Sequence, residues 1–374
     1  MSEDALYLGM ISGTSRDGVD AALVDFAGNA RPQLRAALCL PYPSGLADRL
    51  EELQSTGARP DEAAMRSLDA ELARHFADTA LGLLRHAGVD ARRVAAIGSH
   101  GQTVWHAPDG PRPESIQLGD PAAIAEATGI STVCEFRRPD LEAAGQGAPL
   151  APLLHRALFR PAGGRRAVLN LGGIANLSVL DADGGVSGFD TGPANCLLDA
   201  WVRRCKGASC DRGGAWAASG QVDSGVLEAL LADPYFARRA PKSTGTEYFN
   251  LAWLEARLPQ RDLAPADLQA TLAELTAASV ADAVRPADPS ELLLCGGGVH
   301  NMDLVQRLQR RLPDIPLRST AAAGLDPDWV EAVLFAWLAR ERLAGRPQDT
   351  RAITGAREPV LLGRIFEPGG LSSM

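Results

Sequence analysis

No stretch of this 374-residue sequence is apolar for long enough to span a bilayer, so no membrane partner is expected. The apolar run at residues 5–12 is short and follows Glu3 and Asp4 instead of basic residues, which argues against a signal peptide and export. Cysteine is sparse and scattered: Cys39, Cys134, Cys196, Cys205, Cys210 and Cys295. Most lie in apolar runs and read as buried free thiols. Cys205 and Cys210 are the one close pair, and no second pair or nearby histidine completes a structural zinc site. Reduced thiols fit a cytoplasmic protein. A surplus of positive charge is also missing. The net charge is −9, and the arginine doublets (Arg165-Arg166, Arg203-Arg204, Arg310-Arg311) read as solvated surface, so nucleic acid is not an expected partner. Two familiar nucleotide signatures are absent as well. No Gly-x-Gly-x-x-Gly follows a strand, and Val19-Asp20 stands where a P-loop needs Lys and Ser/Thr.

What is present is a soluble globular composition, 46% hydrophobic and 22% charged, in a chain long enough for two domains. Residues 6–11 and 20–26 read as strands around the polar turn 12–18, and residues 35–40 as a third strand. Residues 60–86 read as a helix, with Ala64, Leu68, Leu72, Phe76, Ala80 and Leu84 on one face. Residues 94–98 form a short buried strand that ends in Ser99-His100-Gly101-Gln102. The series restarts near residue 165, with strands at 167–171, 176–180 and 186–189, a helix at 194–204 and a further strand at 292–295. Two strand–turn–strand–strand openings, each followed by helices, predict an α/β architecture of two lobes with a ligand cleft between them. Residues 211–253 break the pattern. They are rich in Gly, Ser and Pro, carry Tyr235-Phe236 and Tyr248-Phe249, and read as an insertion.

The turn Gly13-Thr14-Ser15-Arg16-Asp17-Gly18-Val19-Asp20 joins two strands. Its backbone N–H groups can cradle phosphates while Asp17 orients Mg²⁺, directly or through water; a plain tight hairpin is the alternative. Gly172-Gly173 form the equivalent turn in the second half. Gly296-Gly297-Gly298 follow a buried strand and precede a helix, where a flat ligand can approach the backbone. Two phosphate turns and a glycine platform make up the ATP-binding pattern of the actin/hexokinase/Hsp70 type. Asp190, in Phe189-Asp190-Thr191-Gly192-Pro193, ends a strand ahead of a helix and reads as exposed at the strand tip. It is the candidate general base for phosphoryl transfer, with helix capping as the alternative role.

Eight ordered motifs carry a specific resemblance. They occupy residues 12–20, Gly-Ser-His-Gly-Gln-Thr-Val-Trp-His at 98–106, 117–121, Gly-Gln-Gly-Ala-Pro-Leu at 145–150, 170–176, 189–195, Pro-Lys-Ser-Thr-Gly at 241–245, and 295–301. Along nearly its whole length the sequence resembles the anhydro-N-acetylmuramic acid kinase family. The resemblance implies a duplicated ribonuclease H-like fold, with residues 1–133 and 352–374 as one lobe, residues 134–351 as the other, and an interdomain cleft for ATP and sugar. It implies ATP and Mg²⁺ as cofactors and an anhydro-sugar as the small-molecule partner, and it is compatible with a homodimer. The implied reaction opens 1,6-anhydro-N-acetylmuramic acid with water and phosphorylates O6, giving N-acetylmuramic acid 6-phosphate and ADP in peptidoglycan recycling.

By the same resemblance, residues 13–20 are the ATP loop and Asp190 activates the water. Arg137 and Glu331 lie at the sugar, and His100 and Gln102 line the same cleft. Two departures stand out: Glu135 where the family has Asp, and Ala144-Gly145 where it has a glycine pair. Other readings stay open at this point. His100 fits a hydrogen-bonded structural residue as well as a ligand contact, and His106 and His300 read as structural. Lys242 fits either the surface or the cleft. Glu331 could simply favour a helix N-terminus. An ordinary sugar kinase of the same fold is the nearest rival, and an Hsp70-like nucleotide switch a further one, weakened because no peptide-binding domain follows residue 374.

Overall fold

The computed structural model describes residues 6–13, 16, 18–26, 32–55, 58–109, 112–259 and 262–369. The chain divides into two compact units, Met1–Leu154 with Trp329–Met374, and His155–Asp328. Among the described residues, no helix is long and apolar enough to cross a membrane.

In the first unit, β1 (Leu6–Ser12), β2 (Gly18–Asp25) and β3 (Gln33–Pro41) form an antiparallel meander. β4 (Val94–Ala107) runs parallel to β1, and β6 (Thr132–Cys134) runs parallel to β4. β5 (Glu114–Leu118) pairs antiparallel with the far half of β4, and the C-terminal strand Arg364–Phe366 closes the edge beside β6. In the second unit, β7 (Arg165–Leu171), β8 (Ile174–Asp181) and β9 (Val186–Pro193) repeat the meander. β10 (Leu292–Cys295) runs parallel to β7, and β11 (Leu317–Ser319) runs parallel to β10. With β5 and the C-terminal strand left out of the count, both sheets share one order, 3-2-1-4-5 from the first strand of each meander. This is the duplicated α/β arrangement that the repeated opening predicts. The central strands are apolar throughout, as strands buried on both faces must be: all seven residues of β1 and all four of β10 are buried.

The helix Glu62–Ala87 starts at Asp61, whose carboxylate accepts from the Ala63 and Ala64 N–H groups, and stops at Gly88 in the left-handed region. It buries Met65, Leu68, Leu72, Phe76, Leu83 and Leu84, while Ala64 is exposed. A strict four-residue ladder drifts about 40° per step around a 3.6-residue helix, so it cannot hold one face throughout. β4 also departs from expectation: it does not stop at Gly98 but runs on to Ala107, 14 residues in all, because β5 supplies a partner for Gln102–Ala107.

A second helix, Val330–Leu343, sits on β1 and β4 at very short range. Gly9 and Gly98 are cross-strand partners. A β-carbon on Gly9 would strike the Ala332 carbonyl oxygen, and one on Gly98 would strike that of Phe335. This helix therefore belongs to the first unit. The units divide at 154/155 and 328/329, where the sequence reading placed boundaries at 133/134 and 351/352. The buried Asp140 adds a second reason. Its Oδ1 accepts from Thr350 Oγ1 (2.6 Å) and Thr354 Oγ1 (2.8 Å), and its Oδ2 accepts from Gly147 N (2.7 Å), tying residues 138–147 to the C-terminal segment.

In the second unit, residues 211–253 fold into short helices around Val226, Leu230, Tyr235, Phe249, Trp253 and Leu254, packed on Leu268 and Leu272 of the helix Pro265–Val284. Cys134 and Cys295 are buried, but Cys39, Cys205 and Cys210 are exposed, so the reading of most cysteines as buried does not hold.

Two stability changes of opposite sign are expected. Gly98→Ala forces the helix Val330–Leu343 off the sheet and should cost about 1–3 kcal/mol, the usual range for overpacking. Ala144 is exposed and sits at φ 65°, so Ala144→Gly should raise stability by about 0.5–1 kcal/mol. Urea unfolding of the two variants checks both; an unchanged midpoint for Gly98→Ala would contradict the tight seat.

Candidate functional site

The first unit holds the residues expected at ATP phosphates and sugar. Of residues 13–20, Thr14, Ser15 and Asp17 lie outside the described residues, which leaves the metal reading for Asp17 without a described position. Gly13 follows β1 directly, and its carbonyl accepts from Arg16 N at 3.3 Å. Arg16 has φ 54° and its guanidinium lies 3.7 Å from Glu51. Gly18, Val19 and Asp20 are not part of the turn; they open β2. Val19 is fully buried, and a β-carbon on Gly18 would meet the Leu40 carbonyl and, at 2.9 Å, Pro41 Cα. Packing against β3 therefore accounts for the glycine at 18.

The extension of β4 carries His100 and Gln102 into buried positions. Ser12 Oγ, at the end of β1, donates to Gln102 Oε1 at 2.6 Å, and Gln102 Nε2 donates to Thr103 O at 3.1 Å. Gln102 thus pins the start of the 13–20 turn. Arg137 Nε donates to His100 Nε2 at 3.1 Å, which leaves His100 Nδ1–H to donate to Gly101 O at 3.1 Å. Burial, aided by the Arg137 charge, holds the His100 pKa well below the ordinary imidazole value, so the ring is a neutral acceptor. The same causes push His106 down to about 3; its Nδ1 lies 3.0 Å from Ser115 Oγ. Phe335 stacks on His100 at 4.6 Å between centroids. Glu331 stands one helical turn before Phe335, half-buried in the first turn of Val330–Leu343. His100 and Arg137 are thus in direct contact, and Phe335 links them to the helix that carries Glu331.

The second unit carries the remaining candidates. The Gly172 and Gly173 carbonyls accept from Asn195, Ala194 and Cys196 N–H groups, so this turn is fastened to the start of the helix Asn195–Lys206. Gly296 has φ 79°, and β-carbons on Gly296 or Gly298 would run into Asn170 and Leu171. Gly297 faces open space, and it alone of the three glycines offers an uncovered backbone. Gly172 is similarly uncrowded. His300 is exposed and pairs with Asp328 at 2.8 Å.

Asp190 is not exposed at a strand tip: β9 continues to Pro193, and the residue is 4% exposed. Capping is excluded because the helix begins at Asn195 with Ala194 as its N-cap. Residues of the insertion hold Asp190 at three points. Its N–H donates to Lys242 O at 3.0 Å, its carbonyl accepts from Tyr235 Oη at 2.8 Å, and its Oδ2 accepts from Thr244 N at 2.9 Å. Lys242 is itself buried, against the surface reading. Tyr235 and Thr244 were missed by the sequence reading; their only signals were the aromatic pairs of the insertion and the Pro-Lys-Ser-Thr-Gly motif. Among the described residues, no cluster of three or more His, Cys, Asp or Glu could hold a metal.

A family model described as anhydro-N-acetylmuramic acid kinase matches residues 5–368. The anhydro-N-acetylmuramic acid kinase of Xanthomonas campestris pv. campestris (strain 8004) is 50% identical over 365 residues, 96% of this chain and 97% of its own. That of Saccharophagus degradans (strain 2-40 / ATCC 43961 / DSM 17024) is 45% identical over 370 residues, 97% of this chain and 99% of its own. Among solved structures, a ROK family glucokinase from Streptomyces griseus in complex with glucose and AMPPNP aligns over 90% of this chain and 100% of its own, at 16% identity and a TM-score of 0.43. With the family model covering almost every residue and relatives matching at half identity from end to end, the chain belongs to the anhydro-N-acetylmuramic acid kinase family.

Proposed function

We propose that this kinase opens 1,6-anhydro-N-acetylmuramic acid with water and transfers the γ-phosphoryl group of ATP to O6, with Asp190 as the general base. The observation that carries the assignment is the threefold grip on the buried residue Asp190, two bonds to its backbone and one to its carboxylate, in the motif where the family resemblance places the base. A base must be fixed in direction before it can take a proton in the transition state. Thr244 N–H fixes Oδ2, while Tyr235 Oη and Lys242 O fix the backbone on either side of the side chain.

In this reading Asp190 removes one proton from the water as its oxygen bonds to C1. The bond from C1 to the bridging oxygen breaks, and that oxygen becomes the nucleophile toward phosphorus. The bond from the γ-phosphorus to the β–γ bridging oxygen then breaks and ADP leaves. The water's second proton stays on the anomeric hydroxyl. His100 is held neutral by burial and by Arg137, which suits a hydrogen-bonding contact and leaves proton removal to the carboxylate. Arg137 and Glu331 are assigned to the sugar, with Gln102 ordering the chain beside Gly13.

The nucleotide is assigned to Gly297, where a β-carbon would meet open space, and to Gly172, where the neighbouring atoms lie at ordinary contact distance. Gly296 and Gly298 shape that platform by packing on Leu171. Residues 13–20 are assigned to the phosphates. Mg²⁺, with Asp17 among its assigned contacts, would neutralise phosphate charge. It typically takes only one or two protein carboxylates and otherwise phosphate oxygens and waters, so a dedicated cluster of acids is not required. The product, a 6-phosphorylated amino sugar, fits a cytoplasmic step of cell-wall recycling.

Asp190→Asn keeps the shape and removes the basicity, so it should bind both substrates while turnover falls about 10²–10⁴-fold. In H₂¹⁸O, wild-type product quenched before anomeric exchange should carry label at C1 and none in the phosphate. Label in the phosphate would instead reveal attack of water on phosphorus, and near-normal turnover of the Asn variant would remove Asp190 from the mechanism. A kinase for a free hydroxyl would incorporate no label at C1.

A further inference from the structure

β9 ends the order of its sheet, so β8 alone pairs with it among the described residues. Its register against β8 also slips beside Asp190. Asn176 pairs with Asp190 but Ala175 pairs with Gly192, which makes Thr191 the extra residue of a bulge. Strand pairing therefore holds the chain least firmly at the point where the base must be aimed.

The insertion makes up for this. Asp190 N donates to Lys242 O at 3.0 Å, and Asp190 O accepts from Tyr235 Oη at 2.8 Å, so the peptide planes on both sides of the Asp190 Cα are held. With both planes held, the direction of the side chain follows, and Thr244 N at 2.9 Å then fixes the carboxylate. Of these three bonds, the one from Tyr235 is made by a side chain.

Tyr235 is buried and is itself gripped from behind. Asp233, whose side chain is fully buried, accepts at Oδ1 from Tyr235 N (2.8 Å) and Tyr248 Oη (2.9 Å). Its Oδ2 accepts from Trp253 Nε1 (2.9 Å) and Arg257 Nη2 (2.6 Å). Burial acts to raise the Asp233 pKa, but these donors outweigh it and hold the carboxyl below its ordinary value. Burial, and then the Asp190 charge, push the Tyr235 phenol up, so its hydroxyl keeps the proton that it donates. Phe249 meets the Tyr235 ring edge to face at 5.3 Å.

We propose that Asp233 and Tyr235 are a positioning pair for this reaction: Asp233 holds Tyr235, and the Tyr235 hydroxyl holds the Asp190 backbone so that the carboxylate meets the attacking water. The proposal rests on Asp190 being the base. Neither member of the pair takes or gives a proton in the reaction. A misplacement of about 1 Å at a reacting group can cost about a hundredfold in rate, so a hydroxyl removed from behind the base is felt in kcat.

The test is steady-state kinetics of the full chain with ATP and 1,6-anhydro-N-acetylmuramic acid. The variants are Tyr235→Phe, Asp233→Asn and the two combined, each with its melting temperature. Tyr235→Phe removes one oxygen and should lower kcat about tenfold while both KM values stay within about twofold. Asp233→Asn should lower kcat by a similar factor alone, yet by less than about twofold in the Tyr235→Phe background, because it acts through the same bond. If Asp233→Asn does not fold, Arg257→Gln takes its place in the cycle, since it leaves Asp233 and its other three donors present, and the same non-additive pattern is expected. Undiminished kcat in folded Tyr235→Phe overturns the proposal, whatever its melting temperature. So does failure of Tyr235→Phe to fold, which marks a purely structural tyrosine. Losses that multiply in the combined variant, full kcat in the variant that perturbs Asp233, or a rise in KM in place of the fall in kcat overturn it as well. Asp190→Asn run alongside separates the two assignments: normal turnover there removes the base itself, whereas an inactive Asn variant with full activity in Tyr235→Phe removes the pair alone.

Discussion

The first unit depends on one steric condition: a helix backbone lies directly on a pair of glycines. Gly9 and Gly98 face each other across β1 and β4, and the carbonyls of Ala332 and Phe335 occupy the space their side chains would fill. Ordinary helix–sheet packing keeps side chains between the backbones. Here their absence brings the helix Val330–Leu343 close enough for Phe335 to stack on His100. The Arg137 bond to the same ring sets the tautomer of His100, and burial together with the Arg137 charge keeps it neutral. The half-buried Glu331 is carried on the same helix, so its position is set by the same seat.

Glycine serves two different purposes in the motifs that suggest nucleotide binding. Gly18, Gly296 and Gly298 are required by protein backbone or side chains that crowd them. Gly297 and Gly172 are uncrowded and are the ones that leave room for a ligand. A glycine-rich motif is therefore partly a packing device, and crowding by the protein does not account for glycine at the uncrowded positions.

The candidate base shows the complementary arrangement. β9 delivers Asp190 to a buried position, and a segment about fifty residues later returns to satisfy its N–H, its carbonyl and one carboxylate oxygen. Asp233 anchors that segment from below, accepting from Tyr235 N, Tyr248 Oη, Trp253 Nε1 and Arg257. The stretch is thus tied together by one buried acid and a cluster of aromatic rings.

The sequence by itself determined the repeated meander, because apolar runs broken by glycine turns at two places can form little else, and the motifs at 98–106, 189–195 and 241–245 determined which residues to watch. Strand existence was legible for β1, β7 and β10 since each is built on a run of apolar residues, broken in β7 only by Asn170 after its two opening arginines. The extent of β4 was not, because Ser99–Thr103 is mostly polar and is held as strand by β1 as far as Gln102 and by β5 from Gln102 onward. The burial of Asp190 and Lys242 was equally illegible: both are charged, and local pattern assigns charge to the surface. Only the tertiary structure, which brings residues 235–244 against β9 and residues 330–343 onto β1 and β4, decided otherwise, since burying a charge is possible only where distant parts of the chain supply its partners.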